Sequence, residues 1–205
     1  MSGRDSRALT LVGTIIAIIA GGAVVAVALF GLAHAREEAR AKRCLSILER
    51  YGMAFAAYAE DFGDVLPYEN VGDEHLGRVV WSEGLATYMG EMDRLCPSVD
   101  RSVENHREGY RINSKLSRRS ADPPQPYRLL SSLLSRQHTV VLFDAEYGGS
   151  KLSLKGRLKD VDYRHNGSVS ILFADWHVER FGRDDFVKAS NWLPPKIIWD
   201  PDRSN

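Results

Sequence analysis

Apolar side chains dominate residues 8–35, a stretch that contains no charged residue and a single ionisable group, His34. Two arginines precede it within residues 1–7, and charged residues resume at Arg36. Because about 20 apolar residues cross a bilayer as a helix, residues 8–35 predict a transmembrane helix behind a short leader. A signal peptide cleaved after Ala35 is the alternative, although the apolar core of a signal typically has only about 7 to 15 residues.

The helical pattern continues beyond this stretch, because apolar positions recur at spacings of three and four along residues 36–62. No proline occurs before Pro67, and Gly63 stands where a glycine commonly follows a helix end. We therefore expect one continuous helix over residues 8–62. A break before a separate soluble helix is the alternative. The stripe expected to face a core consists of Leu45, Leu48, Gly52, Phe55, Ala59 and Phe62.

The rest of the chain alternates short helical and strand patterns, which predicts an α+β domain. With residues 36–62 as its central helix, this domain is expected to occupy residues 36–205. Short helices are predicted at residues 81–90, where Ser82 is the expected N-cap, and at residues 127–135. Strands are predicted at residues 109–113, at 138–146 and on both sides of a tight turn within 164–181, followed by a helix at 183–190.

The tight turn places Asp175 and Trp176 where a two-residue hairpin loop favours Asp-Gly, because such a loop requires positive φ. A bulky side chain in that conformation costs on the order of 1 kcal/mol. Three explanations are open: another type of turn, an indole packed over the domain's own core, or an exposed indole that contacts a partner. Trp176 is therefore a candidate interface residue.

Charge and cysteine content narrow the choice of function. The 27 Lys and Arg residues balance 27 Asp and Glu residues, so the chain lacks the basic excess typical of nucleic-acid-binding proteins, and no nucleic acid is expected as a partner. Its two cysteines, Cys44 and Cys96, are too few for a disulfide scaffold. One bridge between them is compatible with a domain outside the reducing cytosol, and two separate buried thiols are the alternative.

His165, Asp175 and His177 form the sharpest group of chemically competent side chains, and Asp144 or Glu146 from the preceding predicted strand can join them. Imidazole and carboxylate groups bind metals, so these residues are candidates for a metal site or for catalysis. The alternative is turn chemistry, in which the Asp175 side chain bonds to the turn backbone. No Ser-His-Asp, HExxH or P-loop pattern indicates an enzyme, so we expect neither catalytic residues nor a cofactor.

Three segments carry a family resemblance. They are AREEARAKRCLSILERYGMAFAAYAEDFGDVLP, LCPS at residues 95–98, and residues 164–181, where His165 and Asp175 fit an H-x9-D-G pattern and Trp176 replaces the glycine. In this order they resemble the pseudopilins of type II secretion and type IV pilus-like systems. The positions that match the first helix of that family are Ala35, Arg36, Ala39, Arg40, Cys44, Leu45, Leu48, Gly52, Ala54, Tyr58, Asp61, Gly63 and Pro67.

The resemblance implies a fold and a place in the cell. A pilin-like fold packs a long transmembrane and amphipathic helix on a small antiparallel sheet. The family crosses the bacterial inner membrane once, with the N-terminus in the cytoplasm and the globular domain in the periplasm. A count of basic residues opposes this orientation, because four of them at Arg36, Arg40, Lys42 and Arg43 outnumber the two N-terminal arginines. We follow the resemblance.

The start of the chain departs from the family pattern. There a glycine precedes the peptidase cut, an aromatic residue follows it, and a glutamate neutralises the freed amine. Here Ala8 takes the place of the glycine, Leu9 that of the aromatic residue and Gly13 that of the glutamate, so Ala8 and Leu9 mark the expected processing site. A cleaved N-terminus would lack its partner inside the membrane. The resemblance therefore implies a minor or tip-type subunit, or an uncleaved relative.

The implied function is structural, in a type II secretion or pilus-like assembly. Other pseudopilins, inner-membrane assembly proteins and lipid are the expected partners of the N-terminal helix. Two alternatives are a membrane-tethered extracytoplasmic metal-binding or hydrolytic domain using His165, Asp175 and His177, and a soluble domain released after Ala35. Major pseudopilins often bind calcium, but no D-x-D-x-D-G loop occurs here, and solvated acids are expected. The calcium candidates are Asp160, Asp162, Asp184, Asp185, Asp200 and Asp202.

Overall fold

The chain divides into two compact units, Met1–Ala39 and Arg40–Asn205. A computed structural model describes its backbone in seven segments and its side chains from residue 13 onward. Glu146 and Asp202, two of the residues singled out from the sequence, lie outside the described residues. The described segments are residues 3–67, 80–90, 95–99, 109–116, 128–145, 155–191 and 197–201.

Helix α1 spans Gly3–Asp61, which confirms the predicted long N-terminal helix. The alternative, a break in the helix beyond Arg36, is wrong, because α1 continues without interruption from Arg36 to Asp61. Every side chain from Gly13 to Arg36 is exposed. Among the described residues, α1 is the one helix long and apolar enough to cross a membrane, and no part of its most apolar window is buried.

A glycine ends α1 where the sequence predicted it. Gly63 has φ of 74°, in the left-handed region that a residue without a Cβ enters at little cost. The N–H of Asp64 donates back to the carbonyl oxygen of Ala59 at 2.7 Å, which closes a Schellman motif. The carbonyl and the carboxylate of Asp64 then accept hydrogen bonds from the N–H groups of Leu130 and Ser131. The helix end is thereby joined to a distant loop.

Five strands form a single sheet: β1 Tyr110–Asn113, β2 Val140–Asp144, β3 Lys155–Gly156, β4 Ser168–Phe173 and β5 Val178–Gly182. Their order is β3-β1-β2-β4-β5, and all neighbours pair antiparallel except β3 and β1. The predicted small antiparallel sheet is confirmed for four strands, whereas β3, which pairs in parallel with β1, is not among the predicted strands. Strands β4 and β5 are the predicted hairpin, with Ser168 opposite Gly182.

The first core lies between the C-terminal part of α1 and one face of the sheet. Residues of α1 at spacings of three and four share one cluster with Leu142 of β2 and Leu172 of β4. The Tyr110 hydroxyl of β1 donates to the carbonyl oxygen of Cys44 at 3.3 Å. The fully or nearly fully buried members from α1 are Cys44, Ile47, Leu48, Tyr51, Ala54, Phe55 and Ala59.

Two members of the predicted stripe do not belong to this core. Leu45 is only half-buried, because the buried face is centred on its neighbours Cys44 and Leu48 and leaves it at the margin. Phe62 is 57% exposed, since it follows the last residue of α1, and its ring stacks on Tyr58 with centroids 4.4 Å apart. The predicted stripe is therefore one residue off in phase at its start, and at its end it extends one residue past the helix.

A second core covers the other face of the sheet, where helix α4, Arg183–Asn191, packs through Phe186 and Ala189. This helix confirms the prediction for residues 183–190. Strand β2 is buried along its whole length because it faces both cores. The central position of β2 explains its uninterrupted apolar sequence.

Two other predicted helices need correction. Residues 81–90 form two one-turn helices, α2 Trp81–Gly84 and α3 Ala86–Met89, and Val80 rather than Ser82 is the N-cap. The helix therefore begins two residues before the start that a Ser82 cap would give, and Trp81, its first residue, is fully buried. Within the described residues of 127–135, only Leu130–Ser132 is helical, as a 3₁₀ turn, because Leu129 pairs as an isolated bridge with Val65.

We expect acid to weaken the contact at the end of α1. Hydrogen bonding to Ser131, and to a lesser extent Arg136, holds the pKa of Asp64 below its ordinary value although burial opposes this. A carboxyl with a depressed folded-state pKa adds stability above its unfolded pKa, which is about 3.9, and that stability is lost as the pH falls through the folded value. Asp64→Ala should therefore lower the melting temperature at neutral pH, and by less as the solution approaches pH 3.

The measurement is thermal unfolding of the full chain in detergent micelles at a series of pH values. Asp64 itself has φ of 68°. Asp64→Asn is therefore the matched control, since Asn tolerates positive φ and keeps an acceptor oxygen but removes the titrating group. A melting-temperature difference between Asp64→Ala and the parent chain that stays constant with pH would contradict the contribution of the charge.

Candidate functional site

The hairpin turn that joins β4 and β5 has three residues, 174–176, between its paired ends. Phe173 N–H donates to His177 O at 3.0 Å, and Trp176 N–H donates to Phe173 O at 2.9 Å. Trp176 has φ of 75°, as expected of the last residue in such a loop. The predicted positive φ at Trp176 is confirmed, but the predicted two-residue loop is wrong.

The Trp176 side chain packs against the protein's own core. Its ring stacks on Phe55 of α1, with centroids 6.1 Å apart and planes within 4° of parallel. The guanidinium carbon of Arg136 lies 5.7 Å from the ring centroid, within cation–π range. Arg136 Nε also donates to the carbonyl oxygen of Ala174 at 2.9 Å. These contacts offset the conformational cost of the turn and favour an indole that covers the core over one free at a loop tip.

Gly52 of α1 allows the turn to come this close. A Cβ at Gly52 would lie 3.0 Å from Leu172 Cδ1 and 3.1 Å from the carbonyl oxygen of Trp176. Both separations are tighter than normal van der Waals contact, and the carbonyl belongs to backbone held by the turn. The glycine in the helix and the tryptophan in the turn therefore form one packing unit.

Asp175 and His177 pair with each other at the surface. Asp175 Oδ1 lies 2.5 Å from His177 Nδ1 and also accepts from the His177 N–H at 3.3 Å. Although burial raises the pKa of Asp175, these hydrogen bonds outweigh it and hold the pKa below the ordinary value. The His177 ring stacks on Phe173 with centroids 4.5 Å apart. This is the turn chemistry that was the alternative to a metal or catalytic role.

An open groove of about 740 Å³ extends beside this pair. Its lining carries both signs of charge, with Glu179 and Asp185 near Arg180 and Lys188. Among the described residues, neither Asp175 nor His177 belongs to a group of three potential metal ligands close enough to share an ion. The groove therefore offers no concentrated charge or ligand set.

His165 lies at the opposite end of β4 from this pair. The six residues of β4 follow it, and at roughly 3.3 Å each they span about 20 Å before the turn begins. The candidate metal set of His165, Asp175 and His177 is therefore wrong, since one ion cannot be shared over that distance. The hairpin separates residues that its sequence places only ten positions apart.

His165 is instead fully buried beside sulfur and a carboxyl group. Its Nε2 lies 3.4 Å from Cys96 Sγ and 3.8 Å from Asp144 Oδ2. Asp144 ends strand β2 and accepts the N–H of Ser170 at 2.8 Å. Burial raises the pKa of Asp144, and the opposing charges of Arg164 and His165 only partly compensate. The structure thus supports the suggested pairing of His165 with Asp144, but in a closed interior.

Cys44 and Cys96 form a disulfide, with their Cα atoms 5.2 Å apart. The bond joins α1 to residues 95–99 across a sequence separation of 52 residues. Closing a loop of that length in the unfolded chain corresponds to about 4 kcal/mol in the chain-entropy model. The alternative of two separate thiols is therefore wrong for this structure, and the disulfide lies against His165.

Two arginines lie beside this interior, and neither of them was singled out from the sequence. Arg164 pairs with Asp162 at 2.8 Å and donates to the carbonyl oxygens of Gly109 and Ala145. Arg180 donates to the carbonyl oxygen of His165 at 2.9 Å. In the sequence, the one feature that pointed to Arg164 was its position directly before His165. The carbonyl groups that Arg164 contacts lie on distant segments that only the fold brings together.

The remaining predicted residues are distributed over the surface. In the described part of the chain, the calcium candidates do not form a group of three potential ligands within reach of one ion. Asp160 accepts the N–H of Arg157, Asp185 lies 3.9 Å from Lys188, and Asp200 pairs with Lys115 at 3.0 Å. Ala8 and Leu9 lie within α1, and their side chains are outside the described part.

Comparison of the chain with protein-family models, with curated proteins and with solved structures finds no match.

We expect Gly52→Ala to destabilise the protein although it improves helix propensity. In an exposed helix interior this substitution stabilises by about 1 kcal/mol. Here the new Cβ meets Leu172 and the Trp176 carbonyl, and overpacking of a core typically costs about 1–3 kcal/mol. Thermal unfolding of the full chain in micelles measures the sign of the change.

Gly31→Ala in the same helix is the matched control, because its added Cβ would meet nothing within 4 Å. An unchanged or raised melting temperature for Gly52→Ala would show that the turn does not press on α1.

We expect Trp176→Gly to lower the melting temperature even though it removes the strained backbone conformation. The variant loses the Phe55 stack, the Arg136 contact and the buried apolar area. This loss is larger than the gain from removing the backbone strain, so we expect the free energy of unfolding to fall by roughly 1 kcal/mol. Trp176→Phe keeps a ring and the strain, so it should fall between the parent and the glycine variant. A more stable glycine variant would instead favour an indole reserved for a partner.

Proposed function

We propose that this protein is a membrane-anchored structural subunit, pseudopilin-like and of the minor or tip type, in a type II secretion or pilus-like assembly. One observation carries the proposal: a single helix, α1, contributes both an exposed apolar stretch of membrane-spanning length and the main buried face of the C-terminal core. A subunit that works through assembly needs both an anchor and a rigid folded domain, here the C-terminal unit Arg40–Asn205, which we call the head.

The exposed part of α1 supports lipid or other helices as its surroundings. Ile18, Val24 and Phe30 are 74%, 70% and 80% exposed. Apolar area of this extent is unfavourable in water, and a bilayer or neighbouring apolar helices would cover it. Small residues at Gly13, Ala17 and Gly21, each four positions apart, share one face of the helix and permit close approach of another helix.

The head supports a structural role over an enzymatic one. Asp175 and His177 complete a surface turn, and His165 packs in a closed interior, so the geometry needed by the alternative metal-binding or hydrolytic function is missing from these three residues. Their match to the H-x9-D-G pattern then has a folding explanation, since one residue stabilises each end of the β4–β5 hairpin.

The disulfide supports the orientation that we propose, with the N-terminus in the cytoplasm and the head in the periplasm of the inner membrane. Disulfides persist in oxidising compartments and are rare in the cytosol. This consideration opposes the excess of basic residues after Arg36, which favours a cytoplasmic head. We give the covalent bond more weight, because the charge rule has many exceptions and a cytosolic bond would be reduced.

Site-specific photo-crosslinking in cells tests the proposal. A photoreactive residue at Val24, on the helical face of Gly13, Ala17 and Gly21, should give protein adducts with other membrane proteins that begin with an apolar helix, including copies of this chain. The same residue at Ile19, on the opposite face, should give mainly lipid adducts. Mass spectrometry identifies the adducts, and the intact mass shows whether the chain is uncut, cut after Ala8 or cut after Ala35.

Lipid adducts alone at both positions would contradict an assembly role, and extraction of the chain from membranes by alkaline carbonate would contradict the anchor. A mature chain that begins at Arg36 would establish the released soluble domain instead.

A further inference from the structure

Three donor atoms meet in the interior of the head. Cys44 Sγ, Cys96 Sγ and His165 Nε2 all lie within 4.8 Å of one another, and the three residues are fully buried. Within the described residues this is the one such group of three. Thiolate sulfur and imidazole nitrogen are the donors of structural zinc sites.

One of the distances between these donors, that from Cys96 to His165, already matches the distance between two ligands of a zinc ion. Tetrahedral zinc, with Zn–S near 2.3 Å and Zn–N near 2.0–2.1 Å, places a sulfur and a nitrogen ligand about 3.5 Å apart. His165 Nε2 lies 3.4 Å from Cys96 Sγ. The two sulfurs must separate from bonding contact to about 3.8 Å once the disulfide is reduced.

A fourth donor, the Asp144 carboxylate, lies next to His165 but outside the group of three mutually close donors, so it must move toward the ion to bind it. Asp144 Oδ2 is 3.8 Å from the same His165 nitrogen, and Asp144 is fully buried. Its other oxygen, Oδ1, has no hydrogen-bond partner among the described residues. A buried carboxylate oxygen without a partner is costly, and a cation next to it would offset that cost.

We propose that the reduced form of this protein binds one soft divalent cation, represented by Zn²⁺, through Cys44, Cys96 and His165, with Asp144 as the fourth donor. A dithiol reductant converts the disulfide to two thiols and is itself oxidised to a disulfide. The two thiols then release two protons as their sulfurs bond to the metal. Reoxidation transfers the two electrons of the sulfurs to an acceptor disulfide, reforms the S–S bond and expels the cation.

The site would join the same segments in either redox state. The metal, like the disulfide, would hold α1 at Cys44 against the loop at Cys96, and it would add the start of the β4–β5 hairpin through His165. The head would therefore have a non-covalent link before oxidation and a covalent one afterwards. This inference is independent of the proposed role in assembly.

Cobalt spectroscopy of the full chain in micelles tests the proposal. The chain is reduced with a phosphine, which takes up the oxygen of one water molecule and leaves two thiols, and it is refolded with Co²⁺. We expect sulfur-to-cobalt charge-transfer absorption with tetrahedral visible bands at one Co²⁺ per chain, and displacement by Zn²⁺. The oxidised chain should show neither.

X-ray absorption on the zinc-loaded parent chain identifies the ligands without any substitution. The expected shell has two sulfurs at about 2.3 Å and imidazole nitrogen at about 2.0–2.1 Å. His165→Gln should weaken binding at least about 10-fold, whereas His177→Gln, at the other end of the hairpin, should not change it.

The proposal is overturned if the reduced parent chain binds no Co²⁺, if it binds no more tightly when folded than in denaturant, or if the zinc shell lacks sulfur or imidazole. Equal affinity of His165→Gln and the parent overturns it as well. If that variant does not fold, the shell of the parent chain decides the result.

Discussion

The head of this protein depends on the burial of one face of α1 against the sheet. Tyr51 and Phe55 project from that face into an aromatic cluster, with ring centroids 5.5 Å and 5.8 Å from Trp81. Tyr51 also meets Tyr110 of β1 edge-on at 5.8 Å. Full burial of each such side chain stabilises by about 1.5–3 kcal/mol, and well-placed ring pairs add to this. The disulfide, the Schellman end of α1 and the β4–β5 turn all act on this packed helix.

Both ends of the β4–β5 hairpin contact the buried face of α1, and these contacts give Trp176 and His165 structural roles. At one end Trp176 lies over Phe55, and at the other His165 lies against the disulfide that begins on α1 at Cys44. Both residues are part of a pattern that resembles a family signature. In this structure each stabilises the position of the hairpin on the helix, so a motif that contains reactive side chains need not mark an active site.

The proposed function depends on both the head and the apolar N-terminal half of α1. The N-terminal unit offers its environment a continuous exposed apolar surface. In the C-terminal unit Cys44, Cys96 and His165 are buried, and Asp175 pairs with His177. Interaction through the helix is therefore better supported than chemistry at a surface site. The buried Cys44–Cys96–His165 group is the exception, since its donors would become available to a cation only when the disulfide is reduced.

The sequence alone determined the long helix, its end at Gly63 and the α+β class, because each depends on local patterns: an uncharged apolar stretch, a 3.6-residue period and a glycine at positive φ. It left the fate of Cys44 and Cys96 open and grouped His165 with Asp175 and His177, which lie at the other end of β4. Those outcomes depend on distances between segments far apart in the chain, which periodicity does not encode. Only the tertiary structure decided that His165 meets Cys96 rather than His177, because an extended β4 separates neighbours in sequence while the core brings α1, β2 and residues 95–99 together.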